Sequence, residues 1–110
     1  MAVNPKKGLL MWPEYSDNDI DFFIANAAST ISENRTLISR LRGTITTYHR
    51  RAEQARSDEE RDRWEGAVSA TRTEIEKLSD HVKRLDGNKR AAVRELERRR
   101  SNNRWLSGGI

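Results

Sequence analysis

The chain has 110 residues, of which 35% are charged and 35% are apolar, and its net charge is +4. This length allows one domain, and the absence of cysteine excludes disulfide bonds, thiolate metal sites and cysteine nucleophiles. The longest uncharged apolar stretch, GLLMW at residues 8–12, is too short for a membrane span or for the core of a signal peptide. The sequence does not name the compartment, but it favours the cytoplasm or an assembled particle over export by a signal peptide.

The positive and negative charges are separated along the second half of the chain. Residues 57–81 carry four bases and eight acids, which is a net charge of −4. Residues 82–110 carry nine bases and three acids, which is a net charge of +6. A basic segment of this kind attracts phosphate groups, so nucleic acid has to be considered as a partner.

Residues 1–15 contain both prolines and show no helical period, which predicts an extended N-terminal arm. Ser16 predicts the N-cap of a first helix, because a serine hydroxyl accepts a hydrogen bond from an unpaired backbone N–H group. Three acids, Asp17, Asp19 and Asp21, follow where the positive end of a helix favours negative charge.

Apolar residues then repeat in steps of three and four, which is the heptad pattern of a coiled coil. One set of seam positions is Ile24, Ile31, Ile38, Ile45 and Ala52, and the other is Ile20, Ala27, Asn34, Leu41, Tyr48 and Ala55. Asn34 is polar, and either it fixes the register as a buried asparagine or it lies where the seam is loosely covered. The pattern predicts a first helix over about residues 16–56.

Ser57 and Glu60 form a capping box, which predicts that a second helix starts at about residue 58. Its seam consists of Trp64, Val68, Thr71, Ile75, Leu78, Val82, Leu85, Lys89, Ala92 and Leu96. This helix is predicted to end near residue 102, and residues 103–110 form a short C-terminal tail. The LDGNK stretch at 85–89 is typical of a turn, but the heptad phase passes through it unchanged. We therefore expect a continuous helix or one with a kink near residues 86–88.

Two heptad helices joined by two to four residues must run antiparallel. Folding about residue 58 pairs positions whose numbers sum to about 116, and the two seams agree in this register. The facing pairs include Leu41 with Ile75, Tyr48 with Val68 and Ala52 with Trp64. The sequence therefore predicts an all-α fold, a long antiparallel two-helix coiled-coil hairpin with an N-terminal arm and a C-terminal tail.

Apolar residues gather at the open end of this hairpin, where both termini emerge. They are Leu9, Leu10, Trp12, Phe22, Phe23, Trp105 and Leu106. Phe22 and Phe23 lie off or beside the seam, so the two helices alone do not cover both. We expect this end to be covered by the folded-back arms, by a second copy or by another protein, and we predict that these residues form a protein interface.

No residue pattern points to catalysis or to metal binding. His49 and His81 are the only histidines, and the predicted register places them far apart. Metal sites in helical bundles use inward-facing Glu-x-x-His pairs, and the sequence contains none. We expect a protein that is not an enzyme and that needs no cofactor and no metal ion.

The basic stretch over residues 83–105 supports an alternative function in nucleic-acid or nucleotide binding. Trp105 and the neighbouring asparagines would add stacking and polar contacts. The candidate phosphate-binding residues are Lys83, Arg84, Lys89, Arg90, Arg94, Arg98, Arg99 and Arg100. Cations also suit the negative end of a helix, but this explains only those of the last turn.

The sequence Trp64-Glu65-Gly66 resembles the Trp-x-Gly motif of the WXG100 family, whose members are small helical hairpins exported by type VII secretion. The resemblance implies a secreted helical hairpin. In that family the motif lies in the turn, whereas the capping box at Ser57 places it inside the second helix here. The family's Tyr-x-x-x-Asp/Glu export signal does not occur in the tail, which reads RWLSGGI.

The leading hypothesis is a structural protein that acts by contact with itself or with other proteins of an oligomer or a larger assembly, for example a phage virion. The nucleic-acid-binding module and the WXG100-like secreted hairpin remain as alternatives.

Overall fold

The structure is a computed structural model that describes residues 12–108, with the backbone alone at residue 13 and over residues 104–108. A 3₁₀ helix covers Trp12–Glu14, α1 covers Asp17–Glu53 and α2 covers Asp58–Gly108. The described part of the chain contains no strand. The predicted all-α helical hairpin is confirmed.

Both helices begin at the caps that the sequence predicts. The backbone N–H of Asp19 donates to the Ser16 hydroxyl at 3.1 Å, and that of Glu60 donates to the Ser57 hydroxyl at 3.1 Å. The carboxylate of Glu60 accepts from the N–H of Arg56 at 3.1 Å, so the return bond of the capping box reaches one residue before the cap. The four residues 54–57 connect the helices.

The two predicted seams form the core. Each of their positions is buried or half-buried, although more than a third of the chain's residues are charged. The best-covered members are Ile20, Ala27, Ile31, Ile38, Ala52, Val68, Val82, Ala92 and Leu96. Asn34 is half-buried, which fits a position where the seam is loosely covered.

The chain divides into two compact units. The open unit contains the described residues up to Ile31 and from Arg84 onward, and the turn unit contains Ser32–Lys83. In the open unit, Asp17 pairs with Arg99, which satisfies the predicted register. In the turn unit, the rings of Tyr48 and Trp64 lie 5.5 Å apart between centroids.

Three boundaries differ from the sequence-based expectation. α1 ends at Glu53 and not near residue 56. α2 continues to Gly108, because no proline interrupts residues 103–107 and the first helix-ending glycine comes at 108. The described part of the N-terminal arm is not extended, since Trp12–Glu14 forms a 3₁₀ turn, which the φ of proline near −65° allows.

The LDGNK stretch lies inside α2, as the unbroken heptad phase favours. Its aspartate, Asp86, pairs with Arg90 one helical turn later at 3.0 Å, which supports a helical conformation here. A Cβ added at Gly87 would meet no other atom. Glycine itself lowers helix propensity by about 1 kcal/mol relative to alanine, without ending the helix here.

Candidate functional site

The core of the open unit is built around Trp12, which the 3₁₀ turn folds back onto the helices. Its side chain is buried with those of Ile20, Ala92 and Leu96. The partly buried residues Tyr15, Phe23, Ile24 and Ala91 pack against this cluster. The ring of Trp12 lies 4.7 Å from that of Phe23 and 5.7 Å from that of Tyr15, in the tilted geometry that aromatic pairs prefer.

Arg99 connects this turn to both helices. Its guanidinium donates to the backbone carbonyl oxygens of Trp12 at 3.0 Å and Tyr15 at 2.8 Å. It also forms ion pairs with Asp17 at 2.6 Å and Glu95 at 2.8 Å. Only arginine offers five N–H donors in a planar fork, so one side chain can hold four acceptors. We call this arrangement the Arg99 clasp.

Glu95 completes the Arg99 clasp from one turn earlier on α2. It accepts hydrogen bonds from Arg98 at 2.6 and 3.1 Å and from Arg99 at 2.8 Å. These bonds stabilise the carboxylate, so the pKa of Glu95 falls from 4.5 to about 2, with Arg98 as the larger cause.

This lowered pKa predicts an acid-sensitive contact. Because the folded chain holds Glu95 ionised, its contribution to stability is complete above pH 4.5 and is lost as the pH falls towards about 2. We expect Glu95→Gln to lower the melting temperature at neutral pH and to have little effect at pH 2, as followed by circular dichroism. Glu97→Gln is the control, since Glu97 is exposed and has no ion-pair partner among the described residues. A difference between wild type and Glu95→Gln that is independent of pH would contradict this prediction.

The predicted interface residues differ in how far their side chains are buried. Trp12 is buried and Phe23 is half-buried, so the chain's own turn occupies part of the apolar end. Phe22, by contrast, is 72% exposed. Leu9 and Leu10 lie outside the described residues, and at Trp105 and Leu106 only the helical backbone is described.

Phe22 lies within an uncharged segment of α1. No residue from Phe22 to Ser32 is charged, although charged residues make up 35% of the chain. The residues of this segment that are exposed around Phe22 are small and neutral, namely Ala25, Asn26 and Ser29. We call these four residues the neutral face. Asp19 and Asp21 border Phe22 on its N-terminal side, so the uncharged surface extends from Phe22 towards Ser29. Aromatic side chains with few charges around them are typical of the centre of protein–protein interfaces.

The predicted phosphate-binding residues fall into two groups. Arg90, Arg98 and Arg99 are ion-paired with acids of the same chain. The others, which have no ion-pair partner among the described residues, are Lys83, Arg84, Lys89, Arg94 and Arg100. Lys89 is half-buried in the seam, and the remaining four are exposed. The exposed candidates for binding an external anion are therefore Lys83, Arg84, Arg94 and Arg100.

The turn unit contains a shallow groove of about 440 Å³. It is lined by His49, Ala52, Glu53, Arg61, Glu65, Val68, Ser69 and Arg72. His49 and Arg72 lie within hydrogen-bonding distance, 3.3 Å, across the two helices. The lining combines two glutamates, two arginines and a histidine, so its charges partly neutralise one another.

Trp64 also belongs to the turn unit, where it packs against Tyr48. The guanidinium of Arg51 lies 5.2 Å from the centre of its ring, in cation–π contact. Because α2 starts at Asp58, Trp64-Glu65-Gly66 lies inside this helix and not in the connection between the helices.

Sequence reasoning assigned Arg99 to phosphate binding and did not identify the Arg99 clasp. The signal was present, because the predicted register places Arg99 opposite Asp17 and the two carry opposite charges. The carbonyl oxygens of Trp12 and Tyr15 could not be predicted as partners, since the fold-back of the N-terminal turn leaves no periodic pattern.

Over the described residues, no group of three or more His, Cys, Asp or Glu side chains could hold a metal ion. Neither α1 nor α2, as far as they are described, contains an apolar segment long enough to span a bilayer. No model of a protein family, no curated protein and no solved structure matches the chain.

Proposed function

We propose that the protein is a non-enzymatic helical-hairpin subunit that assembles into an oligomer or a larger particle through protein–protein contacts. The neutral face carries this proposal, because Phe22, at the start of the uncharged segment 22–32, is 72% exposed. Covering a phenylalanine side chain is worth about 2 kcal/mol, and small neighbours allow another helix to approach closely.

The fold-back of Trp12 restricts where such contacts occur. One of the expected coverings of the apolar end, the chain's own arm, is supported by the burial of Trp12 against Ile20 and Leu96. Among the described residues Phe22 is the most exposed large apolar side chain, so we assign the partner to the outer side of α1 around it. An assembled particle such as a phage virion is a finer form of this proposal.

Substitution of Phe22 tests this function. In about 1 M salt, where the Debye length is about 3 Å, association through charges is suppressed. We expect light scattering under these conditions to give a mass above the 12.7 kDa of one chain for the wild type and a mass near one chain for Phe22→Ser. The ratio of absorbance at 260 and 280 nm on the same peak should be that of protein alone.

Leu37→Ser is the matched control, because Leu37 also lies on α1 and is 41% exposed. It should leave the mass unchanged. Circular dichroism should show equal helix content for all three chains. A wild type that stays monomeric, or an oligomer that persists in Phe22→Ser, would contradict assembly through the neutral face.

Nucleic-acid binding is the second candidate, and one observation favours it. Arg84, Arg94 and Arg100 are exposed on the second half of α2 and have no ion-pair partner among the described residues. Free guanidinium groups on a helix surface are suited to phosphate contact, and such binding weakens steeply with salt.

A further inference from the structure

The outer side of α1 in the open unit combines an exposed aromatic ring with unpaired negative charge. Phe22 is 72% exposed. Asp19 and Asp21 lie within three residues of it, are exposed and have no ion-pair partner among the described residues. The positive end of α1 stabilises Asp19, but this effect falls off within the first turn and does not reach Asp21. We call these three residues the acidic-aromatic patch.

No base of α1 in the open unit neutralises these carboxylates. The sequence contains no lysine or arginine from residue 8 to residue 34. Asp17, the third acid at this end of α1, is already paired with Arg99. The last bases before the patch are Lys6 and Lys7, and no acid occurs in residues 1–11. Along the chain, the positive charge nearest to the patch therefore belongs to the N-terminal segment.

This segment, which lies outside the described residues, matches the patch in its chemistry. Residues 6–11 read KKGLLM, which is two lysines followed by apolar residues. The leucines suit an exposed phenylalanine ring, and a lysine ammonium on its flexible stem suits an exposed carboxylate. α2 is a poor alternative for the same lysines, since it carries eight bases and three acids over residues 84–108.

The first described residue of the chain brings this segment close to the patch. Trp12 is buried in the open unit, and its ring lies 4.7 Å from the ring of Phe23, the neighbour of Phe22. Six extended residues span about 20 Å, whereas Asp19 lies only about 4.5 Å along the helix axis from Phe22. Because Trp12 is held in place, the segment attached to it meets the patch at an effective concentration in the millimolar range.

We propose that residues 6–11 of the same chain dock on the acidic-aromatic patch, with the two leucines over Phe22 and the two lysines beside the two aspartates. The length of chain before Trp12 and the complementary charges are the arguments for this occupant. The inference rests on the proposed function in one respect. The docked segment occupies the side of α1 that we assign to the partner, so it competes with assembly. Salt weakens the attraction between lysine and aspartate, so high salt favours release of the segment.

Cysteine crosslinking tests the docking directly, because the chain has no cysteine of its own. The full-length variant Leu9→Cys with Asn18→Cys places one thiol in the segment and the other at an exposed position of α1, about one turn before Phe22. A disulfide needs its two Cβ atoms about 4 Å apart, so its rate of formation reports their proximity. In low salt, with oxidised glutathione and dilute protein, we expect rapid formation of a disulfide within one chain, followed by non-reducing electrophoresis and mass spectrometry.

The control variant, Leu9→Cys with Asn102→Cys, makes the same substitutions but places the second thiol at an exposed position of α2 in the same unit. Its disulfide should form at least about tenfold more slowly. Adding Lys6→Glu and Lys7→Glu to the first variant should slow its reaction as well, and circular dichroism should show equal helix content throughout. Equal rates for the two cysteine pairs would overturn the proposal. A disulfide that joins two chains would also overturn it, because the patch would then bind the segment of a second copy.

Failure of this inference and failure of the proposed function give different results. The crosslink forms within one chain, so it is measured even if the protein stays monomeric in light scattering. Assembly without rapid crosslinking would contradict the docked segment alone. Where both hold, Leu9→Ser with Leu10→Ser should assemble at least about tenfold more tightly than the wild type in low salt, because the competing segment is lost. An association constant no higher than that of the wild type would contradict the competition.

Discussion

Trp12→Ala is expected to lower the free energy of unfolding by about 3 kcal/mol, the usual cost of removing a large buried aromatic side chain. The indole is 7% exposed and contacts the rings of Tyr15 and Phe23 as well as the aliphatic cluster of the open unit. Its removal leaves a cavity that the short 3₁₀ turn cannot refill. The loss should be visible as a lower denaturant midpoint, followed by circular dichroism.

Phe22→Ala is the natural comparison, because it removes an aromatic ring of the same unit, in this case from α1. Phe22 is 72% exposed, so its loss should change the stability of the monomer by no more than about 0.5 kcal/mol. The free energies of unfolding should be measured at a protein concentration at which both variants are monomeric. Equal effects of the two substitutions would mean that Trp12 is not part of the core.

Ile20→Ala should have an effect of similar size, about 3 kcal/mol. Ile20 is fully buried, with an exposed fraction of 0%, and it packs with Ala92 and Leu96 of the facing helix. The milder Ile20→Val removes one methylene and should cost about 1 kcal/mol. This graded response distinguishes loss of packing from a general disturbance of the helix.

Leu37→Ala is the control for Ile20, because it shortens an aliphatic side chain of α1 that is 41% exposed. It should cost less than about 1 kcal/mol. Denaturant unfolding of the four chains under one set of conditions is sufficient. A cost for Leu37→Ala as large as that for Ile20→Ala would contradict the assignment of the seam as the core.

The hairpin could be predicted because its causes are periodic and local. Steps of three and four place one apolar stripe on each helix, and the stripes agree in register. Serine caps mark both helix starts, and the structure shows Ser16 and Ser57 accepting the expected backbone hydrogen bonds. These signals need no knowledge of tertiary contacts.

The N-terminal turn and the Arg99 clasp depend on contacts that leave no such period. Trp12 precedes a proline in a segment without amphipathic pattern, so its burial is decided by the pocket that Phe23, Ala92 and Leu96 create together. In the sequence Arg99 is one base among many, because its role depends on two carbonyl oxygens more than 80 positions away in the chain. Composition alone does not distinguish a guanidinium that binds phosphate from one that binds backbone.

The helix C-terminus shows a different limit. The sequence predicts an end of the second helix near residue 102, yet α2 continues to Gly108. Residues such as proline or glycine end a helix. Without them a helix can continue for one or two turns beyond its apolar stripe. The functional surfaces were partly accessible from the sequence, since Phe22 and the bases were named, but their exposure and pairing required coordinates.

The four-residue connection at 54–57 has a consequence for how the chain folds. Contacts beside it join residues close in sequence, such as His49 and Arg72, which are 23 positions apart. The ion pair between Arg99 and Asp17 closes a loop of 82 positions, and loop-closure entropy grows with that separation. Association that spreads outward from the connection avoids most of this entropic cost, because each contact shortens the loop left for the next. We therefore expect the contacts beside the connection to form first. The Arg99 clasp then stabilises the contacts that form last and open most readily.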